Sequence, residues 1–165
     1  AAMLSGCYFP KLLRGVIAVV PGNVVLGGWP QAGPAWLLAG EPLPYVDTFG
    51  PTCASDDAII PVERIEGPLL LVGAGADQVW DSSAMARAIV RRREQHSSAQ
   101  AAPTVLLDYE AATHQLGFVA PLTRIRPQAV LDADPDTDAR ADAWPKVIGL
   151  LEQLRLAAAP VRATA

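Results

Sequence analysis

The sequence predicts an α/β protein, a mostly parallel sheet wrapped by helices. Val16 to Val20, Leu69 to Val72 and Thr104 to Tyr109 are apolar runs of strand length with little alternation, which suits strands covered on both faces. Ser82 to His96 and Asp142 to Leu156 carry apolar residues at spacings of three and four, the pattern of a helix with one buried stripe. The order strand, loop, strand, helix, strand, loop, helix supplies the long crossovers that parallel strands require.

Ala1 to Gly6 reads as the tail of a helix. It opens on apolar, helix-favouring residues with no methionine and no capping residue ahead of them, as if the chain were cut inside an element. Val16 to Val20 forms the first strand and stops at Pro21-Gly22. From Asn23 to Pro68 prolines and glycines crowd together, Trp29, Trp36 and Tyr45 sit among them, and no long period emerges. Residues 23–67 are therefore expected to be a loop-rich excursion, and its aromatic residues suit the wall or lid of a pocket.

The second strand is followed by Gly73 and Gly75, and then by Ser82 or Ser83 as cap of the first long helix. Arg91, Arg92 and Arg93 fall in its last turn, where cations suit the helix dipole and solvent. Thr104 to Tyr109 is the third strand and EAATHQLG a short irregular stretch. Trp144, Val147, Ile148, Leu151 and Leu154 mark the closing helix, with Pro145 tolerated in its first turn.

With 165 residues, 51% of them hydrophobic, the chain can fill one ordinary core. The balance of 13 basic against 17 acidic residues, a net charge of −4, argues against a nucleic-acid surface or a polybasic membrane anchor. No apolar run approaches the roughly 18 residues of a membrane helix, and the amino end lacks the basic start of a signal peptide. Cys7 and Cys53 share no metal-type spacing and read as reduced thiols of a soluble, cytoplasmic protein.

The stretch LLLVGAGADQVWDSS, from Leu69 to Ser83, admits two unrelated readings. A dinucleotide fingerprint needs a third glycine where Gln78 stands, and an acidic residue on a following strand where only Glu94 of a helix is available. A catalytic triad needs a carboxylate on the loop after one strand and a histidine on the loop after the next, because functional groups gather at the carboxyl edge of a parallel sheet. Asp77 and His114 meet that demand, with one helix and one strand between them. No G-x-S-x-G is present to supply a nucleophile; Ser5 and Cys7 sit in a helix tail rather than on a strand-to-helix elbow. The nucleophile is therefore expected upstream of Ala1.

Two other features read as structural. Asp132, Asp134, Asp136 and Asp138 alternate like a calcium loop, yet Thr137 stands where that loop needs glycine and Ala143 where it needs glutamate. They are expected to be a solvated acidic approach to the last helix. Cys53 in GPTCASDD has no base nearby in sequence. No metal or other cofactor is expected.

On the stretches RGVIAVVPGNVV, GEPLPYV, AIIPVERIEGPLLLVGAGADQVWDSSAMA, Tyr109 to His114 and ARADAWPKVIGLL, the chain resembles the carboxyl-terminal domain of the bile acid-CoA:amino acid N-acyltransferase and acyl-CoA thioester hydrolase family. The resemblance runs nearly end to end, and the long central stretch is the specific part. It implies an α/β-hydrolase fold, of which residues 1–165 are the carboxyl-terminal part. It also implies an acyl-CoA substrate cleaved by a serine or cysteine nucleophile, with Asp77 as triad acid and His114 as base. The family's nucleophile aligns four or five residues before Ala1, so this piece by itself is expected to be inactive. Where the family reads YPGAGH this chain has YEAATH, so the histidine loop is expected to be set differently. Trp29, Trp36 and Tyr45 are candidates for the acyl pocket. A carboxylesterase or dienelactone hydrolase shares the strand and triad logic but not the matches at Ile60 to Ile65 and Pro42 to Tyr45; a decayed copy serving as an interaction module is the non-enzymatic alternative.

Overall fold

The computed structural model describes residues 1–47, 56–96, 102–117 and 134–157. Cys53 and Asp132 lie outside the described residues. Three strands, β1 (Val16–Val19), β4 (Leu69–Ala74) and β5 (Thr104–Tyr109), form a parallel sheet in the order β1-β4-β5. Val16 faces Leu69 across the first pair and Leu69 faces Thr104 across the second. Helices α1 (Ala2–Tyr8), α2 (Ser82–His96) and α3 (Pro135–Leu156) cover the sheet. None of the described helices is long and apolar enough to cross a membrane.

β4 is the centre of the sheet and all six of its residues are buried. Its side chains alternate between two cores. Leu69 and Leu71 join Met3, Val16, Ile65 and Ile89 on the side of α1 and α2. Leu70, Val72 and Ala74 join Leu116, Ala139, Ala143 and Val147 on the side of α3. An uninterrupted apolar run is what burial on both faces demands, and β4 meets that expectation. β5 does not: none of its residues is fully buried, and Val105 is 45% exposed. Among the described strands it pairs on one side alone, with β4.

Residues 23–47 and 56–67 are tied down more than their composition suggests. Val25 donates to Ala58 O, Ile60 to Asn23 O and Gly27 to Val46 O. A two-residue hairpin joins β2 (Leu37–Leu38) to β3 (Glu41–Pro42). Its turn residues Ala39 and Gly40 both have positive φ, at 52° and 90°, the handedness that matches strand twist. Ala58, Ile60, Val62 and Ile65 are buried, so the excursion closes over the sheet and supplies part of the core.

Three local expectations need correction. The arginines ending α2 are not a uniformly solvated end. Arg93 is buried, and its guanidinium donates to the carbonyls of Ile65, Gly67 and Ala102; burial lowers its pKa. Arg92 makes a two-pronged bond to Glu63, which holds that carboxyl below the usual carboxylate range. Two of the carbonyls, of Ile65 and Gly67, lie 28 and 26 residues from Arg93 in sequence, so nothing local announces them.

Neither Ser82 nor Ser83 caps α2. Asp81 does, its Oδ1 accepting from the Ala84 amide at 2.8 Å. The Ser82 hydroxyl instead bonds the amide and carbonyl of Ala74, and Ser83 bonds Asp108.

The closing helix starts at Pro135 rather than Asp142. Asp134 is its cap, accepting from the Asp136 amide, and Pro135 occupies the first turn, where a missing amide costs nothing. Asp136 and Asp138 thus lie in the first turn of α3 itself, and Pro145 lies inside the helix.

Candidate functional site

The carboxyl ends of β4 and β5 are held side by side by their own backbones. The Gly75 amide donates to Tyr109 O and the Ala76 amide to Ala112 O, each at 2.9 Å. This seam continues the sheet register one step past the strands and sets the loop of Asp77 against the loop of His114. Gly75 makes the approach possible. A Cβ at this position would stand 2.5 Å from Glu110 O and 2.8 Å from its Cα, closer than backbone atoms tolerate. Gly75→Ala is therefore expected to push the loops apart, costing about 1–3 kcal/mol in urea-unfolding free energy. A cost indistinguishable from zero would show the approach to be loose.

The seam brings the two predicted residues together. His114 Nδ1 lies 3.0 Å from Asp77 Oδ2 and 3.1 Å from Oδ1. The Asp77 side chain is fully enclosed, whereas that of His114 is 28% exposed. Asp77 Oδ1 also accepts from the amides of Val79 at 2.9 Å and Trp80 at 3.2 Å, an Asx-type turn that fixes the carboxylate on its own loop. A carboxylate only accepts hydrogen bonds. The proton therefore sits on His114 Nδ1, leaving Nε2 as the basic nitrogen.

Trp80 packs against the imidazole at a centroid distance of 4.5 Å and an interplanar angle of 81°, the edge-to-face geometry that aromatic quadrupoles favour. Its indole Nε1 donates to Val20 O at 3.2 Å. Val20 has a φ of 44°, rare for a β-branched residue. It is pinned on both sides, its amide to Val72 O and its carbonyl to Trp80. One tryptophan thus touches the end of β1, the acid loop and the histidine. Sequence reasoning missed it; the only signal was an aromatic residue three positions after the loop aspartate.

His114 and Trp80 border an apolar cavity of about 750 Å³. Its walls come from the end of β1, the first turn of α1 and the excursion, including Val25, Leu26 and Ile60. Trp29 and Trp36 line it. Trp29 is 81% exposed and so stands at its mouth. Tyr45 is not among the lining residues; it packs against the core on the side of α1 and α2.

The two in-chain fallback nucleophiles fare differently. Cys7 is buried in that same core, and its thiol is pushed up to about 12, chiefly by burial, which leaves almost no thiolate at neutral pH. Ser5 is exposed on α1. Two aspartates of the acidic run have partners of their own. Asp134 caps α3, and Asp136 accepts from the amide and hydroxyl of Thr113 at 2.6 Å each.

No curated protein matches the chain. The family described as BAAT / Acyl-CoA thioester hydrolase C terminal matches residues 43–155, a span that holds β4, β5, Asp77, Trp80 and His114. The chain belongs to this family, whose members are acyl-CoA thioester hydrolases and acyltransferases.

Proposed function

We propose that the chain supplies the acid, the base and the acyl pocket of an acyl-CoA thioester hydrolase, with its nucleophile on residues that precede Ala1. The observation that carries this reading is the enclosed Asp77 bonded to a partly exposed His114 at the edge of an apolar cavity. The first turn of α1 borders the same cavity as His114. A serine or cysteine on the turn leading into α1 would stand near the imidazole, as on a strand-to-helix elbow.

In this reading the acyl chain enters the apolar cavity past Trp29 and Trp36. His114 Nε2 takes the proton of the nucleophile as it attacks the thioester carbonyl. Asp77 holds the tautomer and stabilises the imidazolium. The thiolate of CoA leaves with the proton returned by His114, and water, activated by the same nitrogen, resolves the acyl-enzyme.

The test is a covalent one. The full-length chain, mixed with a long-chain acyl-CoA and quenched in acid, is expected to gain the mass of one acyl group on a residue before Ala1, and to release CoA to a thiol-trapping dye. Residues 1–165 alone are expected to do neither. A full-length chain that releases no CoA, or an acyl group mapped to Ser5 or Cys7, would overturn the assignment.

A further inference from the structure

We infer that Asp136, in the first turn of α3, is a positioning residue for His114, acting through Thr113. The inference rests on the catalytic reading of His114 given above. His114 opens a single 3-10 turn, His114–Gly117, too short to fix its own backbone, whose placement depends on what anchors the residue before it. Thr113 is anchored twice by one carboxylate. Its amide donates to Asp136 Oδ1 and its hydroxyl to Oδ2, both at 2.6 Å. The same hydroxyl oxygen accepts from the Gln115 amide at 3.2 Å. Asp136 thereby fixes the backbone immediately before His114 and, through the hydroxyl, the turn immediately after it.

The clamp is built rather than incidental. Asp136 is 5% exposed, and charge-assisted bonds in such a place are shorter and stronger than neutral ones. It is itself held, its amide donating to Asp134 Oδ1. One turn on, Arg140 donates to Gln115 O, and further along Asp142 accepts from the Tyr109 hydroxyl at 2.6 Å. Ala112 and Leu116, on either side of the histidine, are buried against Ala139 and Ala143 of the same helix. Asp77 holds the ring from one side, and α3 holds its backbone from the other. Ground-state contact with Asp77 and alignment with a nucleophile are separate requirements, and a displacement of about 1 Å can cost on the order of a hundredfold in rate.

The experiment uses the full-length chain. Asp136→Ala is expected to lower kcat for acyl-CoA hydrolysis roughly ten- to a hundredfold with KM unchanged, and to shift the His114 Nδ1–H resonance in a nitrogen-15-labelled sample. Thr113→Ala should fall part of the way. Thr113→Ser, which keeps the hydroxyl, should restore both readouts, and the double variant Thr113→Ala with Asp136→Ala should be no worse than Asp136→Ala alone. Should Asp136→Ala fail to fold, Asp136→Asn carries the test, since it fills the same space and is expected to give a smaller loss of the same kind. A kcat within about twofold of the parent, or a loss of rate with an unmoved His114 resonance, overturns the clamp. His114→Ala in the same assay separates the two readings: if it loses no activity, the catalytic assignment falls, and the clamp is then decided by the resonance alone.

Discussion

Asp77→Asn in the full-length chain is expected to leave the fold intact and lower thioester hydrolysis by about 10⁴, the loss seen when the acid of a well-studied triad is made neutral. The carboxylate accepts from three nitrogens, the imidazole Nδ1 and the amides of Val79 and Trp80. An asparagine oxygen can keep the two amides satisfied, so the loop keeps its shape. Its NH2 group, turned toward Nδ1, would make Nδ1 the acceptor and put the proton on Nε2. That tautomer cannot receive a proton from a nucleophile. His114→Ala removes the base outright and should be at least as severe. Release of CoA, followed with a thiol-trapping dye, measures both variants. Near-normal rates in both would exclude a triad built on these residues and favour an esterase-like or non-enzymatic role.

A second large effect is expected from Leu71→Ala, which should cost about 2–5 kcal/mol of folding free energy. Leu71 is fully buried in the middle of the central strand, opposite Ala18 on one side and Leu106 on the other. Its side chain points into the core shared with α1 and α2, where a cavity cannot be refilled without moving a strand or a helix. Val105→Ala, on the half-exposed strand of the same sheet, should cost no more than about 0.5 kcal/mol. Urea-unfolding midpoints give both numbers. Equal costs at the two positions would contradict the central place of β4.

The paired loops explain why both glycines and Asp77 stand in one stretch of sequence. Gly73 and Gly75 each have a close packing contact of their own. A Cβ at Gly73 would stand 3.0 Å from Asp108 Oδ1 and 3.2 Å from Ser83 Cα, so Gly73 lets β5 and α2 close on β4. Gly75 lets the histidine loop close on the acid loop. The second of these approaches brings a carboxylate within reach of an imidazole.

The strands were legible in the sequence because burial on two faces leaves a run of apolar residues that needs no partner to be recognised. Asp77 and His114 were legible for a related reason. In a parallel sheet the residues just past each strand collect at one edge whatever the intervening helix does, so chain order alone brings the two together. The start of α3 was misplaced at Asp142, although Asp134-Pro135 carries a cap and a first-turn proline, because the alternating aspartates looked like an approach to a helix rather than its first turn. What only the tertiary structure decided are the contacts made by polar side chains across long sequence separations. Arg93 reaches carbonyls on two segments, Asp136 reaches Thr113 from α3, and Trp80 reaches Val20 at the end of the neighbouring strand. A polar side chain leaves no period in the sequence. An arginine at a helix end or an aspartate in a first turn is equally at home in water, and which of them is buried depends on the segment that folds over it.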